Sequence, residues 1–240
     1  MAERKKFTRE DYFDTAMDDY PFPAKILLAV VILVVAFLSK ILWPWRIEDG
    51  EKLWNDHKGR MIIMNHVSFL ETVLPSTTMW FRGVHVRPIY KSEWDDNGFL
   101  NWLLPRVGGI PIDRGTADMK SVKRAVNCLK RGECVLVFPE GTRIRTEDQP
   151  VEIHGGFALM ARMAKVPVQP MAIIGARAIA APGKKIRPFL RVFLKAGDSV
   201  EWSEMTSEKR RERTEEMEKV AMERVYALRS ELRAEHPGKE

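Results

Sequence analysis

Six short stretches rich in apolar residues, at 61–64, 84–90, 109–112, 134–138, 168–174 and 190–195, recur along the middle of the chain. Each has the length of a strand, not of a helix, and the segments between several of them carry apolar residues at helical spacing. The clearest is the stripe Met119, Val122, Val126 and Leu129, closed by Gly132. Thr116 is the expected N-cap there, with Asp118 in the first turn. A second helix is expected over 156–165. Strand and helix in alternation predict an α/β fold with a largely parallel sheet flanked by helices. In such sheets functional groups gather where strands end and loops begin. His66 and Glu140 each fall just past an expected strand.

The 240 residues suffice for one substantial domain with an appendage. The expected layout is an N-terminal membrane-anchoring pair of helices over 1–45, the main α/β domain over 46–202, and a C-terminal amphipathic helix and tail over 203–240. In the front part, 26–38 reads ILLAVVILVVAFL. Thirteen helical residues rise only about 20 Å, short of a hydrocarbon core of roughly 30 Å. Extension to Trp43 reaches about 27 Å, with Lys40 placed to snorkel and Trp43 and Trp45 suited to the interface. A membrane anchor is expected here. A cleaved signal peptide fits poorly with an acidic leader and no small-residue cleavage site; a buried core helix is the other alternative. Upstream, Thr8 and Asp11 have the spacing of a capping box, opening a short helix. Its polar face is acidic, which suits packing on the protein better than an anionic membrane. In the tail, Met217, Ala221, Val225, Leu228 and Leu232 line one face of a long helix that packs on the domain and shows no chemistry of its own.

With 39 Lys and Arg against 33 Asp and Glu, the formal charge is +6, which favours an anionic partner. The excess lies in the body: 153–197 holds eight basic residues and no acid, while 203–240 is nearly neutral. A basic nucleic-acid-binding arm is therefore not indicated, and no recognition module for nucleic acid is visible. Cys128 and Cys134 have neither the number of a disulfide framework nor metal-ligand spacing.

The chemistry begins at the end of the first expected strand, in MIIMNHVSFLET (61–72). On a continuous helix His66 and Glu71 would diverge by about 140°. They meet only if His66 lies in the strand-to-helix loop and Glu71 in the helix's first turn. A carboxylate on one imidazole nitrogen fixes the tautomer and leaves the other nitrogen free as a base. The alternative is a satisfied core histidine beside a capping glutamate. Ser68, two positions from His66 with no nucleophile elbow around it, offers only a weak serine-hydrolase reading.

Three more stretches follow in order: GGIPIDRG (108–115), FPEGTR (138–143) and VPVQP (166–170). Arginine forks bind phosphate oxygens, and glycine lets backbone amides approach an anion. In this order, with Asn65-His66 through Glu71, the sequence resembles the glycerolipid acyltransferases, in particular the 1-acylglycerol-3-phosphate acyltransferase family. The resemblance spans about 55–200, and an N-terminal membrane helix or helix pair also fits it. There are two departures. The family usually has Asp where Glu71 stands, and commonly Phe-Lys-x-Gly where this chain has Ile153-His154-Gly155-Gly156.

The resemblance implies catalysis by His66, oriented by Glu71, which takes the proton from an acceptor hydroxyl as it attacks a thioester. Arg114 and Arg143 would hold the acceptor phosphate, Glu140 would position the glycerol or the arginines, and Gly141 and Thr142 shape the turn, whose amides would meet the oxyanion. It implies acyl-CoA or acyl carrier protein as co-substrate, with no other cofactor, no metal and no covalent acyl-enzyme. The expected partners are a phospholipid bilayer and a lysophospholipid acceptor, lysophosphatidic acid first, with glycerol 3-phosphate or another lysolipid or glycolipid as alternatives. The expected location is the cell membrane, the catalytic domain on its cytoplasmic side and a basic face near Lys184, Lys185, Arg187 and Arg191. A non-catalytic membrane-binding module is the rival that would need none of the site residues.

Overall fold

A computed structural model describes residues 7–56, 58–113, 118–146, 148–180 and 186–239. Seven strands form one sheet: β1 (Trp45–Glu48), β2 (Met61–Met64), β3 (Val86–Lys91), β4 (Ile110–Ile112), β5 (Cys134–Val137), β6 (Val168–Ile174) and β7 (Val192–Ala196), in the spatial order β1-β7-β6-β2-β5-β3-β4. All neighbours run parallel except β6 and β7. The helices are α1 (Arg9–Asp14), α2 (Phe22–Leu42), α3 (Leu70–Trp80), α4 (Gly98–Arg106), α5 (Met119–Lys130), α6 (Gly156–Ala164) and α7 (Arg210–Glu235). The α/β expectation holds, with the largely parallel sheet and the long C-terminal helix.

β2 lies near the middle and is fully buried. Its side chains alternate between two cores, as a period of two requires. Met61 and Ile63 pack with residues of α5, α6 and α7, while Ile62 and Met64 pack with Leu70 and Leu74 of α3. Met217, Ala221 and Val225 of α7 belong to the first of these cores, so this helix is a layer of the domain.

Thr8 and Asp11 form the expected capping box. α1 packs on the protein, as its acidic face suggests: Tyr12 and Phe13 are buried, and Glu10 pairs with Lys120 and Arg124 of α5. Fully buried Arg87 ties this front segment down, donating to Tyr12 O, Thr15 O and Tyr20 Oη and pairing with Glu133. α2 is different. Ala24, Leu28 and Ile32 pack inward, while Phe22, Val30, Val34, Phe37 and Ile41 are exposed. It is not the buried core helix of the alternative reading, and at 21 residues it is long and apolar enough to cross a membrane.

Three local features differ from expectation. The cap of α5 is Asp118, whose side chain accepts from Ser121 N–H; Thr116 lies outside the described residues. β1 went unforeseen because WRIE is a polar edge segment. α4 went unforeseen because its aromatic, Pro-containing sequence has no clean stripe, although Asn97 caps it by accepting from Phe99 and Leu100. β7 runs antiparallel to β6 within the largely parallel sheet that was expected.

Candidate active site

Asn65 directly follows β2, and its buried side chain bridges to the neighbouring strand β6. It donates to Ile173 O at 3.0 Å and accepts from Ile173 N–H at 2.9 Å. The next residue leaves the strand and is gripped by the loop after β5. His66 N–H donates to Glu140 Oε2 at 2.7 Å, and His66 O accepts from Ile144 N–H at 2.7 Å. The imidazole stacks on Phe138, with ring centroids 4.2 Å apart and planes at 13°. Both faces of the backbone and one face of the ring are thus fixed before any ligand arrives.

Glu71 is the second residue of α3 and fully buried. One oxygen accepts the N–H groups of Val67 and Ser68, a natural position for a carboxylate at a helix start. The other accepts Ser68 Oγ–H at 3.0 Å and stands 3.9 Å from His66 Nδ1. So the loop-plus-first-turn arrangement required by the sequence is present. The separation is longer than a hydrogen bond, and the glutamate's short bonds go to the loop backbone. Burial pushes its pKa above the ordinary carboxylate range, with the backbone donors opposing. Ser68 is buried, donates to Glu71 and accepts from Leu70 N–H at 3.0 Å. It organises the loop, and the serine-hydrolase reading has no support here.

The FPEGTR turn closes on itself. Gly141 has φ +63°, and a Cβ there would sit 2.4 Å from the His154 ring. Gly141 N–H donates to Phe138 O and Thr142 N–H to Glu140 O. These two amides close the turn, so the oxyanion role expected of them is not available in this conformation. His154, at the place where the family commonly has lysine, lies directly over this turn. Glu140 is 3% exposed. It faces His66 N–H on one side and Tyr226 Oη, at 3.4 Å, on the other. Burial raises its pKa, while the His66 N–H, Arg229 and Tyr226 oppose.

A cleft of about 450 Å³ opens in front of His66. Gly141, Thr142, Arg143, Arg145 and Lys91 give it a polar and basic rim, and Phe69, Val73, Ile89, Leu104 and Val107 an apolar wall. Of the residues expected from sequence, His66, Gly141, Thr142 and Arg143 line it together, while Glu71 and Glu140 support it from behind. Arg114 lies outside the described residues. Lys91, Arg145 and Tyr226 were not anticipated. Lys91 is paired in register with Ile112, a relation across strands that one-dimensional spacing does not carry. Tyr226 belongs to the tail expected to hold no chemistry; it stands beside the stripe residue Val225 and is partly buried against the core. Glu48, Glu235 and His236 bring ligand atoms close enough to hold a metal ion, but none of them lines this cleft.

This is a parallel-sheet protein whose strand ends present a histidine, backed by two buried carboxylates, to a cleft both basic and apolar. The family model described as Acyltransferase matches residues 46–174, and the chain belongs to that acyltransferase family. It is 25% identical over 191 residues to a 1-acyl-sn-glycerol-3-phosphate acyltransferase of Bacillus subtilis, covering 78% of this chain and 92% of that protein. A Streptococcus pneumoniae protein of the same name is 27% identical over 146 residues, with 60% of this chain and 52% of that protein covered. A lyso-ornithine lipid O-acyltransferase of Pseudomonas aeruginosa is 38% identical over 117 residues, covering 46% of this chain and 41% of that protein. In fold, the chain is similar to the crystal structure of the 1-acyl-sn-glycerophosphate acyltransferase PlsC from Thermotoga maritima. The TM-score is 0.61 at 22% identity, over 85% of this chain and 81% of that one.

Proposed function

We propose that this enzyme moves a fatty acyl group from acyl-CoA or acyl carrier protein to the hydroxyl of lysophosphatidic acid, giving phosphatidic acid. The observation that carries the reading is His66, with Glu71 on its Nδ1 side, opening on a cleft with a basic rim and an apolar wall. A phosphorylated head and an acyl tail need those two surfaces side by side. Nε2 of His66 takes the hydroxyl proton as the oxygen attacks the thioester carbonyl. The new C–O bond forms, the C–S bond breaks, and the imidazolium returns the proton to the leaving thiolate. Glu71 holds the loop and stabilises the imidazolium, and Glu140 fixes the backbone of His66. Arg143 and Arg114 bind the acceptor phosphate, with Gly141 and Thr142 shaping the turn beside them. The thioester is the co-substrate; no resident cofactor or metal enters these steps.

The exposed apolar face of α2 anchors the enzyme in the cell membrane, with the catalytic domain on the cytoplasmic side where thioester donors are made. A second acceptor is favoured by one specific feature: His154 stands over the FPEGTR turn in place of a fixed cation. An acceptor without a phosphate suits that change, and one of the relatives is named for lyso-ornithine lipid.

The test is product mass spectrometry on detergent-purified enzyme, with acyl-CoA or acylated carrier protein and either lysolipid. Phosphatidic acid from the wild type, reduced at least about 10³-fold in His66→Ala, is expected. Product from lyso-ornithine lipid alone would replace the acceptor; activity unchanged in His66→Ala would sink the mechanism.

A further inference from the structure

The short loop before β7 carries a feature that packing does not explain. Phe189 has a left-handed backbone, φ +64°, a conformation costly for an aromatic residue. Its ring is nevertheless 71% exposed, and Ile186 beside it is 59% exposed. The loop is pinned in this posture. Phe189 N–H donates to Leu42 O, and Trp43 Nε1–H donates to Arg187 O at 2.8 Å, both at the end of α2. Arg187 N–H donates to Ile179 O at 2.9 Å. A backbone fastened this firmly, with its largest apolar side chain turned outward, is presenting that side chain to something.

Charge and position say to what. Residues 36–47 and 186–192 contain Lys40, Arg46, Arg187 and Arg191 and not one Asp or Glu. Arg46, Arg187 and Arg191 are exposed. An apolar tip beside the exposed Arg46, Arg187 and Arg191 is complementary to an anionic bilayer surface, where rings enter the acyl boundary and arginines meet phosphates. The patch also continues the exposed apolar face of α2 at Phe37 and Ile41. Register puts it at the active-site end of the sheet: Val192 pairs with Trp45 and Phe193 with Ile174, while the adjoining Ile173 is bonded to Asn65.

We propose that the 186–191 loop is a second membrane-contact element, inserting Phe189 and Ile186 into an anionic leaflet and setting the His66 end of the sheet against the lipid surface. This rests on the membrane anchoring assigned to α2 above. With two contact points instead of one helix, the domain does not swing freely about α2. Its cleft faces the phase in which an amphiphilic acceptor resides.

The experiment labels full-length enzyme with an environment-sensitive thiol dye at Phe189→Cys, at Ile186→Cys and, as a control, at Asp198→Cys. Asp198 follows the far end of β7 and its side chain is 81% exposed; Cys128 and Cys134 are buried and stay unlabelled. Each protein is mixed with vesicles of equal parts phosphatidylglycerol and phosphatidylcholine, and co-sedimentation is measured in parallel. The expected result is a rise in emission of about threefold at 189 and 186, quenched by lipids brominated in the acyl chain, with none at 198. Arg187→Gln with Arg191→Gln should reduce the rise on these vesicles toward that on pure phosphatidylcholine. Protein that sediments while the labels at 189 and 186 stay as wet as the one at 198 overturns the loop contact and leaves the α2 anchor standing. Protein that does not sediment overturns both.

Discussion

The two ends of β2 are equally buried and do opposite things. At the entering end, Arg60 is 3% exposed. It donates to Lys52 O and Gln169 Oε1, pairs with Asp56, and shares Gln169 with Ser199. Its charge is neutralised and its partners belong to the framework. At the leaving end, Glu71 is also buried, but its bonds come from the Val67 and Ser68 amides and one hydroxyl, not from Lys or Arg. The difference teaches where a fold keeps charge for use. A buried ion paired with its opposite is structure, whereas a buried carboxylate held by dipoles keeps a negative potential for a neighbouring imidazole.

The substitution that separates the two roles most strongly is Glu71→Gln. It keeps the acceptor for the loop amides and removes the charge behind His66, so kcat should fall by about 10²–10³ with the fold intact. Stability should move the other way. Burial holds the native pKa of Glu71 above its ordinary 4.5, so the unfolded chain gives up that proton first as pH rises. Below 4.5 wild type and Glu71→Gln should differ by a constant amount. From 4.5 upward, through the native pKa, wild type should lose stability relative to the variant, and the gap should then level off. Urea midpoints for both proteins between acid and neutral pH measure this. A wild type that gains on the variant over the same window would mean that the amide donors outweigh burial.

At the other end the expected effect is on folding alone. Arg60→Met leaves Gln169 and Lys52 O short of a donor in a buried place and should cost about 2–3 kcal/mol of stability. The value of kcat, measured well below the variant's melting temperature, should stay within about twofold of wild type, since nothing Arg60 touches reaches His66. A large loss of kcat without a stability change would break the division between the two ends.

Much of this contrast was legible in sequence, for reasons that differ by element. The strands were readable because apolar runs bounded by loops have few other solutions, and His66 and Glu71 because only one local geometry brings residues at that spacing together. The FPEGTR turn was readable because glycine and proline restrict the backbone. What spacing did not carry was direction. Glu140 was expected to face the acceptor or the arginines and instead lies under His66, and Glu71 was expected on the ring but bonds first to the loop. Nor did it carry contacts made only by packing: Lys91 reaches the cleft through strand register, and Tyr226 reaches Glu140 because α7 lies across the sheet.

Tyr226 gives the smallest effect and the finest test of how the active-site end is held. Its hydroxyl stands 3.4 Å from Glu140 Oε1, and burial beside that carboxylate pushes its pKa up to about 12, so it is a donor throughout the neutral range. Tyr226→Phe removes one hydrogen bond, worth about 0.5–1.5 kcal/mol, from the group that fixes His66 N–H. Acting through Glu140, Tyr226 is a positioning residue. The expectation is a drop in kcat of about threefold with KM unchanged and little change in melting temperature. A purely structural tyrosine would give no more than a shift in melting temperature. A positioning one should also move the acid limb of the pH–rate profile upward, because Tyr226 helps to hold the Glu140 pKa down. An unmoved acid limb would leave α7 as a packing layer only, and the preorganisation of His66 would then end at Glu140.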